Sequence, residues 1–216
     1  MSNYPDTKIH NTLPKILKHR ADTIPDTVAL RDKDLGIWNE ITWKQYNDKV
    51  TYLALGLEKR GFKAGDVIGL IGDNKPSWLF FELAAQAVGG MSLGIYRDTL
   101  DEEVGYLMNA AKANFVYAED QEQVDKILTI KRPKNNQIKI FYDDSRGLKE
   151  LNDPNITDML ELLNEGETLA GKHPEKYSKM IDKISGEQDA ILCTTSGTTS
   201  NPKLAMLPGG KFVEHV

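Results

Sequence analysis

The chain has a single cysteine, Cys193, in 216 residues, which excludes an intramolecular disulfide and suits a reducing compartment. Positive charge is in deficit. Lys and Arg number 27 against 32 Asp and Glu, a net charge of -5, so nucleic acid meets no electrostatic invitation. The short basic patch Lys131-Arg132-Pro133-Lys134 reads as a solvated loop. Long hydrophobic runs are also missing. The longest apolar-rich stretch, 78–88, is broken by Glu82 and Gln86 and is too short to span a bilayer. Residues 1–6 show no basic region ahead of an apolar core, the mark of a signal peptide. His10, His19, His173 and His215 are scattered without metal-ligand spacing. The expectation is a soluble, cytoplasmic protein with no nucleic-acid partner and, at most, peripheral membrane association.

What is present is an ordinary globular composition, 40% hydrophobic and 27% charged. Short apolar runs alternate with helical periodicity, the pattern of βαβ units and a largely parallel sheet flanked by helices. The spacing predicts a helix over 13–21, then a β-hairpin of 27–31 and 37–41 around a turn-rich insert, 32–36. Thr42 and Gln45 form a capping box ahead of a helix whose apolar positions are Tyr46, Val50, Leu53, Ala54 and Leu57. Strands are expected at 67–72, 91–96, 114–118, 138–142 and 189–194. The helices between them are entered at Pro76, at a second capping box (Thr99 to Glu102) and at Asp120. Trp78, Phe80 and Phe81 read as core, and Cys193 as a buried small hydrophobe. The polar stretch 143–188 reads as a peripheral excursion with helices near 157–163 and 174–181 before the chain re-enters the core.

The strand at 189–194 delivers Thr194-Thr195-Ser196-Gly197-Thr198-Thr199-Ser200-Asn201-Pro202-Lys203 off its end. In open α/β sheets ligands sit beyond the carboxyl ends of strands. A triphosphate asks for converging backbone N–H donors, hydroxyls and a cation. Gly197 lets the main chain approach closely, the hydroxyls of Thr195, Ser196, Thr198 and Thr199 add donors, and Lys203 supplies a point charge. It is not the P-loop of the NTPases, because Pro202 precedes Lys203 and Leu204 follows it. Taken alone, a polar surface turn competes with the phosphate reading.

In order and spacing the run resembles the signature of the adenylate-forming (AMP-binding) superfamily, with Thr195, Ser196, Gly197, Thr198, Thr199, Pro202 and Lys203 matching it. The likeness extends over nearly the whole chain. The segments 96–100 and 119–126 look like the long-chain fatty acyl-CoA synthetase branch. The resemblance implies the N-terminal part of that α/β fold over 1–216, with the C-terminal domain absent. It also implies an ATP-dependent ligase: a carboxylate, here a fatty acid, attacks Mg-ATP to give acyl-adenylate, and coenzyme A then takes the acyl group. ATP, Mg2+ and coenzyme A are the implied cofactors of the complete enzyme. Thr195, Ser196, Gly197, Thr198, Thr199 and Lys203 are the implied phosphate-binding residues. The adenine, metal and acyl contacts of the family lie further on, so no complete catalytic set is expected in 1–216, and this piece alone is expected to be inactive. Ser200 and Leu204 replace glycines of the signature, a departure that keeps two other readings open: a ligase for another acyl or aryl acid, and a non-catalytic ATP-binding relative.

Overall fold

The computed structural model describes residues 5–133, 136–195 and 202–214. It opens with helix α1 (Leu13–Thr23) and the expected antiparallel pair, β1 (Val28–Asp34) and β2 (Ile37–Thr42). The turn is tighter than the insert read from sequence. Pairing continues through Lys33↔Trp38 and Asp34↔Ile37, leaving Leu35 and Gly36, both at positive φ, to reverse the chain. Thr42 and Gln45 then exchange both bonds of the capping box at the start of α2 (Trp43–Lys59). The five apolar positions read from its periodicity are all buried.

β3 (Val67–Ile71) is buried at every residue, as a central parallel strand must be. α3 (Pro76–Val88) follows, with Pro76 in its first turn and Gly89 as a left-handed C-cap. After β4 (Met91–Ile95) comes α4 (Asp101–Ala110), where the expected Thr99 cap is absent. The helix starts one residue later than predicted. Leu100 therefore takes the cap position without a side-chain bond, while Thr99 donates its N–H to Tyr96 in a turn. Asp101, Glu102 and Glu103 place negative charge on the first turn instead. β5 (Phe115–Ala118) leads into α5 (Gln121–Leu128), capped by Asp120 as predicted. Arg132 is not part of a solvated loop: it donates to Asn109, Asn114 and the carbonyl of Met108.

β6 (Lys139–Tyr142) precedes the polar stretch 143–188, which is built into the fold rather than lying outside it. It contributes strand β7 (Ile156–Asp158), helix α6 (Met159–Lys172) and helix α7 (Lys176–Asp182). β7 pairs with β6, and Leu162, Leu163, Tyr177 and Ile181 join the core. The stretch is polar because its helices present one narrow apolar stripe inward and charge outward. Two glycines set how closely α6 approaches α2. A Cβ on Gly166 would stand 1.8 Å from the Tyr52 carbonyl oxygen, and one on Gly56 would stand 2.7 Å from that of Leu162. Arg60, at the end of α2, clamps the pair by donating to Glu165 at 2.9 and 3.0 Å and to Glu161 at 2.5 Å.

β8 (Asp189–Thr195), β9 (Lys203–Pro208) and the short α8 (Gly209–Val213) complete the described chain. Seven strands form one sheet in the order β7-β6-β5-β3-β4-β8-β9, parallel throughout except for β9, which runs antiparallel to β8. Side chains alternate across it with the period of two that a strand imposes. Ile68, Leu70, Phe115, Tyr117 and Phe141 face the cluster shared with α2, α3 and α6. Val67, Ile71, Val116 and Ile140 face the cluster shared with α4 and α5.

Candidate functional site at the carboxyl ends of the strands

The strand order creates a crevice. The chain leaves β3 for α3 on one face of the sheet, and leaves neighbouring β4 for α4 on the other. Adjacent strands whose connections part in this way open a gap beyond their carboxyl ends. Here the gap is a cavity of about 510 Å³ between the ends of β3, β4 and β8, reached by Trp78, Glu82, Arg97, Cys193 and Thr194. Trp78 was expected in the core with Phe80 and Phe81. Phe80 and Phe81 are there, whereas Trp78, on the same helix but rotated from them, also faces the cavity and covers Gly94 of β4. Cys193 is partly exposed rather than buried, because β8 turns that face toward the cavity.

The loops at this end are fixed by charge. Arg97, just past β4, reaches Asp73 at 2.6 Å, Asp120 at 3.4 Å and Glu122 at 3.7 Å. Lys126 of α5 donates to the Arg97 carbonyl at 2.6 Å. The two segments singled out in the sequence, 96–100 and 119–126, are thereby tied to each other and to the end of β3. Beneath them Glu119, 4% exposed, accepts from the Asp73 N–H at 2.5 Å and pairs with Lys75 at 2.6 Å. Such multiply bonded loops give a ligand fixed walls.

The Ser/Thr/Gly run begins at this rim. β8 and β9 bring its two ends side by side: Thr195 pairs with Lys203, and the Thr195 hydroxyl donates to the Lys203 carbonyl at 3.4 Å. Both residues are exposed, and Lys203 has no ion-pair partner among the described residues, leaving its ammonium available. Ser196, Gly197, Thr198 and Thr199, with Ser200, lie outside the described residues. From the opposite side, Tyr106 of α4 donates to the carbonyl of Pro202 at 3.1 Å, anchoring the return of the chain. Leu204, where the signature has glycine, pairs with Thr194 and packs against the apolar cluster of α4 and α5. Its side chain is therefore accommodated as an ordinary strand residue.

Sequence reasoning passed over Glu82, which lines the cavity along with Asp73 and Asp98. It sits on α3 with Ser92 donating to it at 3.3 Å and Gln86 at 3.5 Å. Removal from water pushes its carboxyl above the usual carboxylate range, and the bond from Ser92 only partly offsets this. A raised carboxyl pKa means that folding favours the protonated form. Stability from this group is full below the ordinary value of 4.5 and is lost as pH rises through the folded value. Glu82→Gln, which keeps an acceptor for Ser92, should therefore stabilise the protein at pH 7.5 by on the order of 1 kcal/mol. The gain should vanish near pH 4, as urea unfolding at the two pH values would show. A gain independent of pH would remove the electrostatic explanation.

Comparison with known proteins places this geometry. A family profile described as AMP-binding enzyme matches residues 17–216. Human Long-chain-fatty-acid–CoA ligase ACSBG1 is 29% identical over 197 residues, covering 91% of this chain and 26% of that protein. The chain thus spans about a quarter of the length of the curated relatives it matches. Among solved structures, the luciferase-like enzyme of the mealworm Zophobas morio superposes with a TM-score of 0.76 at 15% identity, over 98% of this chain and 46% of that one. VinN in complex with L-aspartate does so with a TM-score of 0.68 at 16% identity, over 94% and 49%. At such identities the structural likenesses establish the fold.

Proposed function

This chain belongs to the AMP-binding enzyme family, and we propose that the protein carrying it is an ATP-dependent ligase that joins long-chain fatty acids to coenzyme A. The observation that carries the reading is the exposed Thr195–Lys203 pair, set on adjoining strands and following directly on Thr194, which lines the strand-end cavity. In the first step a carboxylate oxygen attacks the α-phosphorus of ATP, and the bond to pyrophosphate breaks. Negative charge on the departing phosphates is what Lys203 would stabilise, together with donors from Thr195, Ser196, Gly197, Thr198 and Thr199. In the second step the coenzyme A thiol attacks the acyl carbonyl and AMP leaves. Among the described residues no three His, Cys, Asp or Glu side chains converge as a metal site, so no group here is assigned to Mg2+.

Fatty acids are favoured as substrates by the sequence relatives, which are long-chain-fatty-acid–CoA ligases. A second reading, activation of another acid, draws on VinN, whose structures contain L-aspartate and 3-methylaspartate. Thioester formation by the complete protein would separate the two. Dodecanoate to octadecanoate should exceed aspartate and benzoate at least about tenfold in kcat/KM, since a long chain gains apolar contacts that the others lack. The reverse order would select the second reading.

No helix among the described residues is long and apolar enough to cross a membrane. We place the protein in the cytoplasm, as the composition suggests, with any membrane association peripheral.

A further inference from the structure

A second cavity, of about 590 Å³, lies at the opposite end of the sheet. Its walls are the turn from α2 into β3, the turn from α3 into β4, and α7 with the residues after it. Lys63, Lys176, Lys179 and Lys183 all border it. Lys176 is paired with Glu58 at 2.5 Å and Lys179 with Glu175 at 3.5 Å. Lys63 and Lys183 are exposed and have no ion-pair partner among the described residues. The cavity is therefore in excess of positive charge on a chain whose net charge is -5. Its floor is apolar, formed by Val88, Met180 and Ile184 over buried Phe62.

We propose that this cavity binds a single-chain amphipathic anion, with the alkyl chain on the Val88–Met180–Ile184 floor and the carboxylate or phosphate head between Lys63 and Lys183. Each feature narrows the ligand. The volume falls within the roughly 300–1,000 Å³ typical of small-molecule sites. The unpaired ammonium groups select negative charge, as compact point charges do for carboxylate or phosphate alike. The floor offers no exposed aromatic face on which a nucleotide base would stack: Phe62 is 1% exposed. The site is separate from the strand-end cavity, and the proposal does not depend on the reading of that cavity.

The test is calorimetric titration of the complete protein, without ATP and below micelle concentrations. The ligands are dodecanoate and dodecyl phosphate, with dodecanol and dodecyltrimethylammonium as neutral and cationic controls. At least one anion should bind at least about tenfold more tightly than either control, and shortening it to six carbons should weaken binding by at least about tenfold. Whichever anion binds better identifies the head group. The double variant Lys63→Glu/Lys183→Glu, changed only at exposed positions, should take up one equivalent fewer with its circular dichroism unchanged. Lys203→Ala should leave that equivalent intact, so failure of the strand-end reading would not be mistaken for failure here. Equal binding of anion and dodecanol, or an unchanged number of equivalents in the double variant, would overturn the proposal.

Discussion

Lys203→Ala, introduced into the complete protein, should slow ATP–pyrophosphate exchange about 100- to 1,000-fold, the loss typical when one preorganised charge stabiliser is removed. The unfolding free energy should change by no more than about 0.5 kcal/mol, because exposed residues without partners contribute little to stability. The contrast between the two readouts is the point of the experiment. Lys203 is held by strand pairing with Thr195, and that pairing uses backbone groups which an alanine retains. Lys203→Arg keeps the charge but replaces a compact ammonium with a planar fork, so partial activity is expected. An exchange rate unaffected by Lys203→Ala would dismiss the assigned role, and a large loss of stability would recast the residue as structural.

Gly166→Ala should have the largest effect on folding, a destabilisation of about 3 kcal/mol. On an isolated helix the same change would stabilise by about 1 kcal/mol, so the sign decides between propensity and packing. Packing wins here because the added methyl would meet backbone: the Tyr52 carbonyl oxygen lies 1.8 Å from its position and the carbonyl carbon 2.5 Å. Backbone of a packed helix cannot rotate aside as a side chain can, so α2 and α6 must separate. The apolar cluster they share, including Leu53, Leu57, Leu162 and Leu163, would open with them. Urea unfolding measures the effect directly. A neutral or stabilising result would show that the helices are not in backbone contact at this point.

The parts of the fold written in local chemistry were legible in the sequence. The continuous apolar run of β3, the reciprocal Thr42–Gln45 cap and the Asp120 cap each depend on a few neighbouring residues, and each is found where predicted. The parts that depend on distant partners were not. β7 is three residues long and has too little pattern to register; its edge place comes from pairing with β6. β9 follows a run read for its chemistry, and its strand character comes from lying antiparallel to β8. The α2–α6 contact depends on Gly56 and Gly166, which in a helical pattern look like weak points rather than points of approach. At the site, Thr195 and Lys203 are singled out by the distinctive order of the run, and the structure adds that they face each other on β8 and β9. Glu82 is not singled out, since one carboxylate in an apolar helix carries no sign of the cavity it faces. Nor are the ties from Arg97 to Asp73 and Asp120, which span 24 and 23 residues of sequence.

In the proposed reaction a carboxylic acid is activated by ATP beside the Thr195–Lys203 pair, next to Thr194 of the strand-end cavity. Its most direct test is incorporation of labelled pyrophosphate into ATP by the complete protein, with a panel of carboxylic acids and no coenzyme A. Incorporation should require an acid and be greatest with long-chain fatty acids. ATP binding without incorporation for any acid would contradict this expectation and would identify the protein as a non-catalytic member of the family.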